Sequence, residues 1–366
     1  MKHTAGSSST SGLKIYDEAR TAHLERAGHE AVPARLLYRK ASYDFDRRAA
    51  QEVGAIQVSA RGAAWRVFES DGRWVELNEP FFLRALPLMV ASLIGGKLRL
   101  LRGGRRPRFV TYAIENIDMA LKLSSHSRLP TPLLRLTLGR ILRWAFASYD
   151  RVAFGTLAAK QAYEDLLGPL PRRVETAIFP AVEPACSQCD CAKVPGTVIF
   201  VGAFDERKGV SHLMAAWPEV VRAVPGARLA IIGKGAMTDR VQAWANRRSD
   251  VVVQIDPPRR AIHEGLSRSN VLVLPSISSA RWREQVGLPI VEALSHGCAV
   301  VTTRETGLCE WLEDHGHTIV DDPTDARSLS RAIAGALLKN PGGEAILETL
   351  PLLSGRMQAE EWLWRD

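Results

Sequence analysis

Short apolar runs separated by longer segments of helical spacing dominate the second half of the chain. Residues 198–201, 228–232, 251–255, 271–274 and 299–302 read as strands, and the stretches between them as helices. That alternation predicts βαβ units around a parallel sheet. The first half is less regular. Residues 15–27 read as a helix, residues 66–77 alternate around Asp71-Gly72 as a hairpin would, and residues 81–94 read as a helix. Residues 109–114 form a buried-strand candidate that delivers Glu115, Asn116 and Asp118 to its carboxyl end, where polar groups face a cleft in open α/β sheets. Residues 150–156 read as the last strand of this half. The chain thus divides into a first domain (1–182), a linker (183–196), a second domain (197–345) and a helical tail (346–366).

Composition agrees with two globular cores: of 366 residues, 46% are hydrophobic. The most apolar stretch, 81–94, is interrupted by Arg84 and Pro87 and falls short of the roughly 20 residues a spanning helix needs. Residues 1–6 lack the apolar core of a secretion signal, and five cysteines fit a reducing compartment, so the expected location is cytoplasmic. Cys186, Cys189 and Cys191 form a C-x-x-C-x-C cluster, but no second cluster with ligand spacing follows. Among Pro184, Lys193, Pro195 and Gly196 it reads as a linker, and no metal is expected. Asp44-Phe45-Asp46 lies beside Arg47-Arg48 rather than after a buried strand and reads as solvated.

Charge changes the picture for partners. Of the net +8, residues 1–180 carry +11 and the remainder −3. Arg99, Arg102, Arg105, Arg106 and Arg108 crowd together, and Arg135, Arg140 and Arg143 lie in a leucine-rich segment with Trp144 and Phe146. Such a surface would attract anionic lipid headgroups or a lipid-phosphate acceptor, giving peripheral contact at the cytoplasmic face of a membrane. Arginine outnumbers lysine 38 to 10, so a compositional bias filling solvated positions fits the same residues. Nucleic acid is not expected as a partner, because the basic residues are not interleaved with aromatics and no DNA-reading motif appears.

The most informative chemistry lies in Glu284-Gln285-Val286-Gly287-Leu288-Pro289-Ile290-Val291-Glu292, which sets two carboxylates eight positions apart. Gly287 permits a tight backbone approach and Pro289 suits the first turn of a helix. Free N–H groups and the positive dipole end at that helix start would lie beside a diphosphate, while Glu284 and Glu292 could accept hydrogen bonds from hydroxyls on either side of it. The combination suits a nucleotide sugar.

These residues resemble the signature of the family 4 retaining glycosyltransferases, E-x-x-G-L-P-x-x-E-A. A second block, Val198-Ile199-Phe200-Val201-Gly202-Ala203-Phe204-Asp205-Glu206-Arg207-Lys208-Gly209, is similar to that family's strand, glycine loop and phosphate-binding lysine. Pro225-Gly226-Ala227-Arg228-Leu229 and Ile232-Gly233-Lys234-Gly235 match a further stretch. The resemblance implies an α/β fold of GT-B type, two Rossmann-like domains facing across a cleft, with the donor on the second. It implies glycosyl transfer with retention, using a nucleotide diphosphate sugar as co-substrate, with no other cofactor and no obligatory metal. Lys208 with Arg207 would stabilise the leaving diphosphate, and Glu284 would orient the transferred sugar. Glu292 would accept from the ribose hydroxyls, and backbone at Gly202, Gly287 and Leu288 would approach phosphate or sugar. His296, at the far end of the same helix, reads as structural.

Before residue 180 the resemblance rests on less. Ser11-Gly12 stands for the family's glycine loop, which makes Gly12 a substrate-side candidate, and Gly28-His29-Glu30-Ala31-Val32 looks like the approach to its second strand. Residues 1–10 are polar, so the expectation is that either the given start is late or this domain lacks its first strand. The family commonly supplies a histidine after the 109–114 strand; Glu-Asn stands there instead, making Glu115 the candidate. Ala203 replaces an arginine that the family often has, and Arg207 is placed to compensate. That departure leaves room for a non-catalytic nucleotide-sugar-binding protein, and an epimerase or hydrolase of the same fold is a further reading. The acceptor is unassigned among glycan, lipid-linked and small-molecule classes.

Overall fold

The structure is a computed structural model that describes residues 12–27, 34–42, 44–127, 129–187, 192–339 and 342–365. Its first sheet contains β1 (Gly12–Ala19), β2 (Ala34–Ala41), β3 (Ile56–Gln57), β4 (Trp74–Leu77), β5 (Arg108–Ala113), β6 (Arg151–Phe154) and β7 (Glu175–Ile178), in the order β3-β2-β1-β4-β5-β6-β7. The second contains β8 (Thr197–Val201), β9 (Arg228–Gly233), β10 (Val251–Ile255), β11 (Val271–Leu274), β12 (Ala299–Thr303) and β13 (Thr318–Val320), in the order β10-β9-β8-β11-β12-β13. Strand pairs in both sheets are parallel. Each order reverses once, at β1/β4 and at β8/β11, which opens a crevice at the carboxyl ends of those strands.

The second domain follows the sequence pattern closely because β8 and β11 are buried on both faces and therefore read as unbroken apolar runs. One strand escaped, the short β13 beyond β12.

The first domain corrects four expectations. Its central strand is present: β1 lies between β2 and β4 where a helix over 15–27 was expected, and only Thr21–Ala27 is helical. Charged residues hid the strand. Lys14 and Asp17 are buried, Lys14 pairing with Glu360 at 2.6 Å and Asp17 with Arg39 of β2. A buried charge is tolerated only when paired, and Glu360 lies 346 positions away.

Gly12 is the second correction. It opens β1, at the end opposite the carboxyl edge, and a Cβ there would stand 2.5 Å from the Trp74 carbonyl oxygen and 2.6 Å from the Trp364 ring. It serves close packing and is not part of the substrate edge. The expectations placed on residues 1–11 and 28–32 lie outside the described residues.

Third, the 66–77 hairpin is instead the end of a helix, Ala60–Glu69, followed by the parallel strand β4, whose four residues are all buried. Fourth, β7 pairs with β6, so 150–156 is not the last strand. The helix expected at 81–94 runs over Leu86–Leu101, with Pro87 in its first turn as proline's fixed φ favours.

The tail crosses back. Its Gly355–Leu363 helix packs on β5 and β6, with Ala359, Leu363 and Trp364 against Trp74, Val110 and Ala153. Arg356 on this helix pairs with the buried Glu76 of β4, which also accepts a 2.8 Å hydrogen bond from the Tyr16 hydroxyl. Burial alone would raise the Glu76 carboxyl; Arg356, Lys14 and the Tyr16 hydrogen bond more than offset it and hold it down to about 2. Arg356→Met would strand that charge and is expected to destabilise the protein by on the order of 3–5 kcal/mol in urea unfolding, with Glu76→Gln in the same background restoring part of the loss. A change below about 1 kcal/mol would show that the pair does not hold the tail.

Candidate active site

The loops after β8, β11 and β12, at the carboxyl edge of the second sheet, converge on one residue, Glu284. After β8 the chain passes Gly202 into a short turn, Glu206–Lys208, which Asp205 fixes by accepting from the Lys208 N–H at 3.0 Å. Gly209 follows at φ 72°, where a Cβ would sit 2.0 Å from the Pro275 carbonyl oxygen, so only glycine lets this turn press against the loop after β11. The Lys208 ammonium then reaches the Glu284 carboxylate, which also accepts from the Ser276 hydroxyl at 3.2 Å. Glu284 is only 8% exposed, so these partners are what make its burial tolerable. The Trp282 ring lies 4.8 Å from the Arg207 guanidinium carbon and 4.9 Å from the Lys208 nitrogen, and so joins the two cations on one apolar face. Arg207 also donates to Asp205 at 2.8 Å.

The loop from Glu284 to Gly287 is held from behind. The Gly307 N–H donates to the Glu284 carbonyl at 3.1 Å, and the Thr306 hydroxyl to the Val286 carbonyl at 2.9 Å. Gly287, at φ 78°, turns the chain into the Leu288–Ser295 helix, with Pro289 in the first turn and Leu288 70% exposed. No side chain among the described residues caps this helix start, which leaves its dipole end to an anion. On the same helix Glu292 pairs with Arg259 at 2.9 Å, a cation that the sequence reading did not single out.

From the first domain, the segment after β5 docks on this loop. Asn116 donates through Nδ2 to the Glu284 carbonyl at 2.9 Å, and Arg281 donates to the Ser125 carbonyl at 2.7 Å. Glu115 stands at the carboxyl end of β5 as expected, but its carboxylate lies 3.7 Å from Lys122 and its N–H donates to Glu79. Glu79 is the acid that the sequence reading missed. It follows β4 by two residues, and the hairpin expected there concealed its place at the carboxyl edge. Tyr163 donates to it at 3.0 Å. Burial, and then the negative charge of Glu115, push the Glu79 carboxyl up to about 7. Asp46, by contrast, caps the Arg47–Glu52 helix by accepting from the Arg48 and Ala49 N–H groups, which is a local structural role.

With this geometry in place, comparison with known proteins is specific. Residues 192–347 match the family model for glycosyl transferases group 1. The phosphatidyl-myo-inositol mannosyltransferase of Mycobacterium tuberculosis (strain ATCC 25618 / H37Rv) is 31% identical over 142 residues, 37% of this chain and 36% of its own. The D-inositol 3-phosphate glycosyltransferase of Segniliparus rotundus is 26% identical over 209 residues, covering 54% of this chain and 44% of its own. The chain thus spans less than half the length of these curated relatives. Among solved structures, WaaG, a glycosyltransferase involved in lipopolysaccharide biosynthesis, superposes with a TM-score of 0.59 at 16% identity, covering 97% of this chain and 100% of that one. Anabaena HepE in complex with UDP superposes with a TM-score of 0.64 at 13% identity, covering 96% and 95%. These likenesses concern the fold, and the fold is GT-B.

Glu79 yields a pH prediction. Its folded pKa of about 7 lies above the ordinary value of 4.5, so the native state binds the proton more tightly than the unfolded chain and loses stability as pH rises between those values. Relative to Glu79→Gln, the wild type is expected to lose about 1–3 kcal/mol between about pH 4.5 and 8, read from urea midpoints. Parallel stability profiles for the two proteins would contradict the assignment.

Proposed function

We propose that this protein is a family 4 retaining glycosyltransferase that moves a sugar from a nucleoside diphosphate sugar to a hydroxyl acceptor, with protein cations rather than a metal ion neutralising the diphosphate. The observation that carries the reading is the Lys208–Glu284 pair at the carboxyl edge of the second sheet, flanked by Arg207 and Trp282 and set inside the segment that matches group 1. Departure of a nucleoside diphosphate develops negative charge, and preorganised cations beside an uncapped helix start stabilise it. Glu284, pinned through its backbone and free to exchange Lys208 for a sugar hydroxyl, orients the transferred ring. Glu292, shared with Arg259, accepts from the ribose. The mannosyl- and glycosyltransferase names of the relatives, and the UDP bound in HepE, support a nucleoside diphosphate sugar as donor. The acceptor enters from the first domain, where Glu79 holds a proton near neutrality and is able to exchange it.

On the Thr131–Phe146 helix, Leu133, Leu136, Ile141 and Trp144 are exposed alongside Arg140 and Arg143. No helix among the described residues is long and apolar enough to cross a membrane. The mixed basic and apolar face supports peripheral contact with an anionic membrane from the cytoplasmic side. Co-sedimentation with phosphatidylglycerol vesicles but not with phosphatidylcholine vesicles is the expected result; equal behaviour with both would count against it.

Kinetics test the site. Lys208→Ala is expected to reduce turnover at least tenfold, since a charge-assisted bond contributes roughly 1.5–3 kcal/mol and more when it faces developing charge. Unchanged kinetics in folded protein would overturn the assignment. Glu292→Gln is expected to weaken donor binding by about five- to a hundredfold, whereas Glu284→Gln should slow single turnover more than it weakens binding. Tight donor binding with no release of nucleoside diphosphate would favour the binding-protein reading that Ala203 left open.

A further inference from the structure

The linker contains a thiol that the proposed transfer does not use. The Cys186 N–H donates to the Ser295 carbonyl at 2.8 Å, which fastens the linker to the last turn of the helix bearing Glu292. There, a sulfur from Cys186 and one imidazole nitrogen each from His263 and His296 all lie within 4.8 Å of one another. The three come from three separate elements. His263 is on the Arg259–Arg268 helix, and His296 is the buried residue that ends Leu288–Ser295. His263 Nδ1 and His296 Nε2 stand 2.9 Å apart, within hydrogen-bond reach, with the ring planes inclined at 64° and not stacked.

In a tetrahedral zinc site, bonds of about 2.0–2.1 Å to nitrogen and 2.3 Å to sulfur place neighbouring ligand atoms about 3.3–3.6 Å apart. The two nitrogens, at 2.9 Å, stand closer than that spacing, and no ligand atom of the cluster lies more than 4.8 Å from another, so the side chains rotate to admit an ion. Two imidazoles and a thiol make a borderline-soft donor set, which suits zinc and not magnesium or calcium. His296 is buried at the end of its helix, and Cys186 and His263 are half-buried beside it. Lys193 turns its ammonium onto the Ser269 carbonyl at 2.5 Å and the Cys298 sulfur at 3.3 Å. Without an ion, the two histidines are left to share one proton in a ring-to-ring hydrogen bond, which is the competing explanation.

We propose that Cys186, His263 and His296 bind a zinc ion that clamps the interdomain linker to the two helices presenting Arg259 and Glu292. The sequence supplies further thiols at Cys189 and Cys191, but the proposal rests on the three residues named. It stands independently of the glycosyl-transfer reading, because its readouts are metal content and spectra.

The test uses the full chain, produced with zinc in the medium, desalted and assayed by elemental analysis. Wild type is expected to retain about one zinc per chain, and Cys186→Ser and His263→Gln to lose most of it. Cobalt(II) substituted into wild type should show a sulfur-to-cobalt charge-transfer band that Cys186→Ser abolishes. After mild chelation, added zinc should raise the melting temperature of wild type and leave that of Cys186→Ser unmoved. Should Cys186→Ser fail to fold, the wild-type cobalt spectrum and zinc-dependent melting decide the matter alone. Substoichiometric zinc with no response to added metal, or full zinc retention in both variants, would overturn the proposal in favour of the shared-proton pair.

Discussion

Glu284 is gripped from both halves of the molecule, and the site follows from what a buried carboxylate requires. Its carboxylate takes Lys208 and Ser276 from loops after β8 and β11, while its backbone carbonyl takes the Gly307 N–H after β12 and the Asn116 amide after β5. An ionised carboxylate removed from water is costly unless each lone pair finds a partner. Satisfying this one residue therefore brings four segments to a single point, one of them from the other domain. The glycines nearby are consequences of that crowding: Gly209 beside Pro275, and Gly307, where a Cβ would meet the Gln285 carbonyl oxygen at 2.1 Å.

The same rule operates at the far side of the molecule. Glu76 and Lys14, both on buried strands of the first sheet, take Arg356 and Glu360 from the tail helix. The Gly355 position is equally constrained, since a Cβ would lie 1.7 Å from the Pro180 carbonyl oxygen. Thus the chain leaves the first domain through the linker, builds the second domain, and returns to neutralise charges buried before it left. The two domains are held by polar contacts that only the folded molecule can assemble, at the cleft and at the tail.

This explains why the two halves were so unequally legible. Strands of the second sheet announce themselves as apolar runs, and their site residues sit in one loop-helix motif and one strand-loop motif, each continuous in sequence. The first sheet carries Lys14 and Asp17 in β1 and Glu76 in β4, and such charges argue against a buried strand until partners hundreds of positions away are known. Gly12 was misplaced for the same reason, because with β1 unrecognised its packing against Trp364 could not be anticipated. Glu79 is separated from Glu115 and Tyr163 in sequence but meets them at the carboxyl edge, and Cys186 likewise meets His263 and His296 only through the helices that bear them. Local pattern singled out Lys208, Glu284 and Glu292; it had no access to groups whose meaning is set by distant neighbours.

The central claim is that protein cations, with Lys208 foremost, hold the diphosphate of a sugar donor where another fold would use a metal ion. Calorimetric titration of a panel of uridine and guanosine diphosphate sugars, with and without added magnesium or manganese, tests it most directly. Saturable one-to-one binding of at least one donor is expected, with a dissociation constant that changes less than about twofold on adding either ion, because no additional charge is needed at the phosphates. Binding that appears only with the divalent ion, or no binding across the panel, would contradict it.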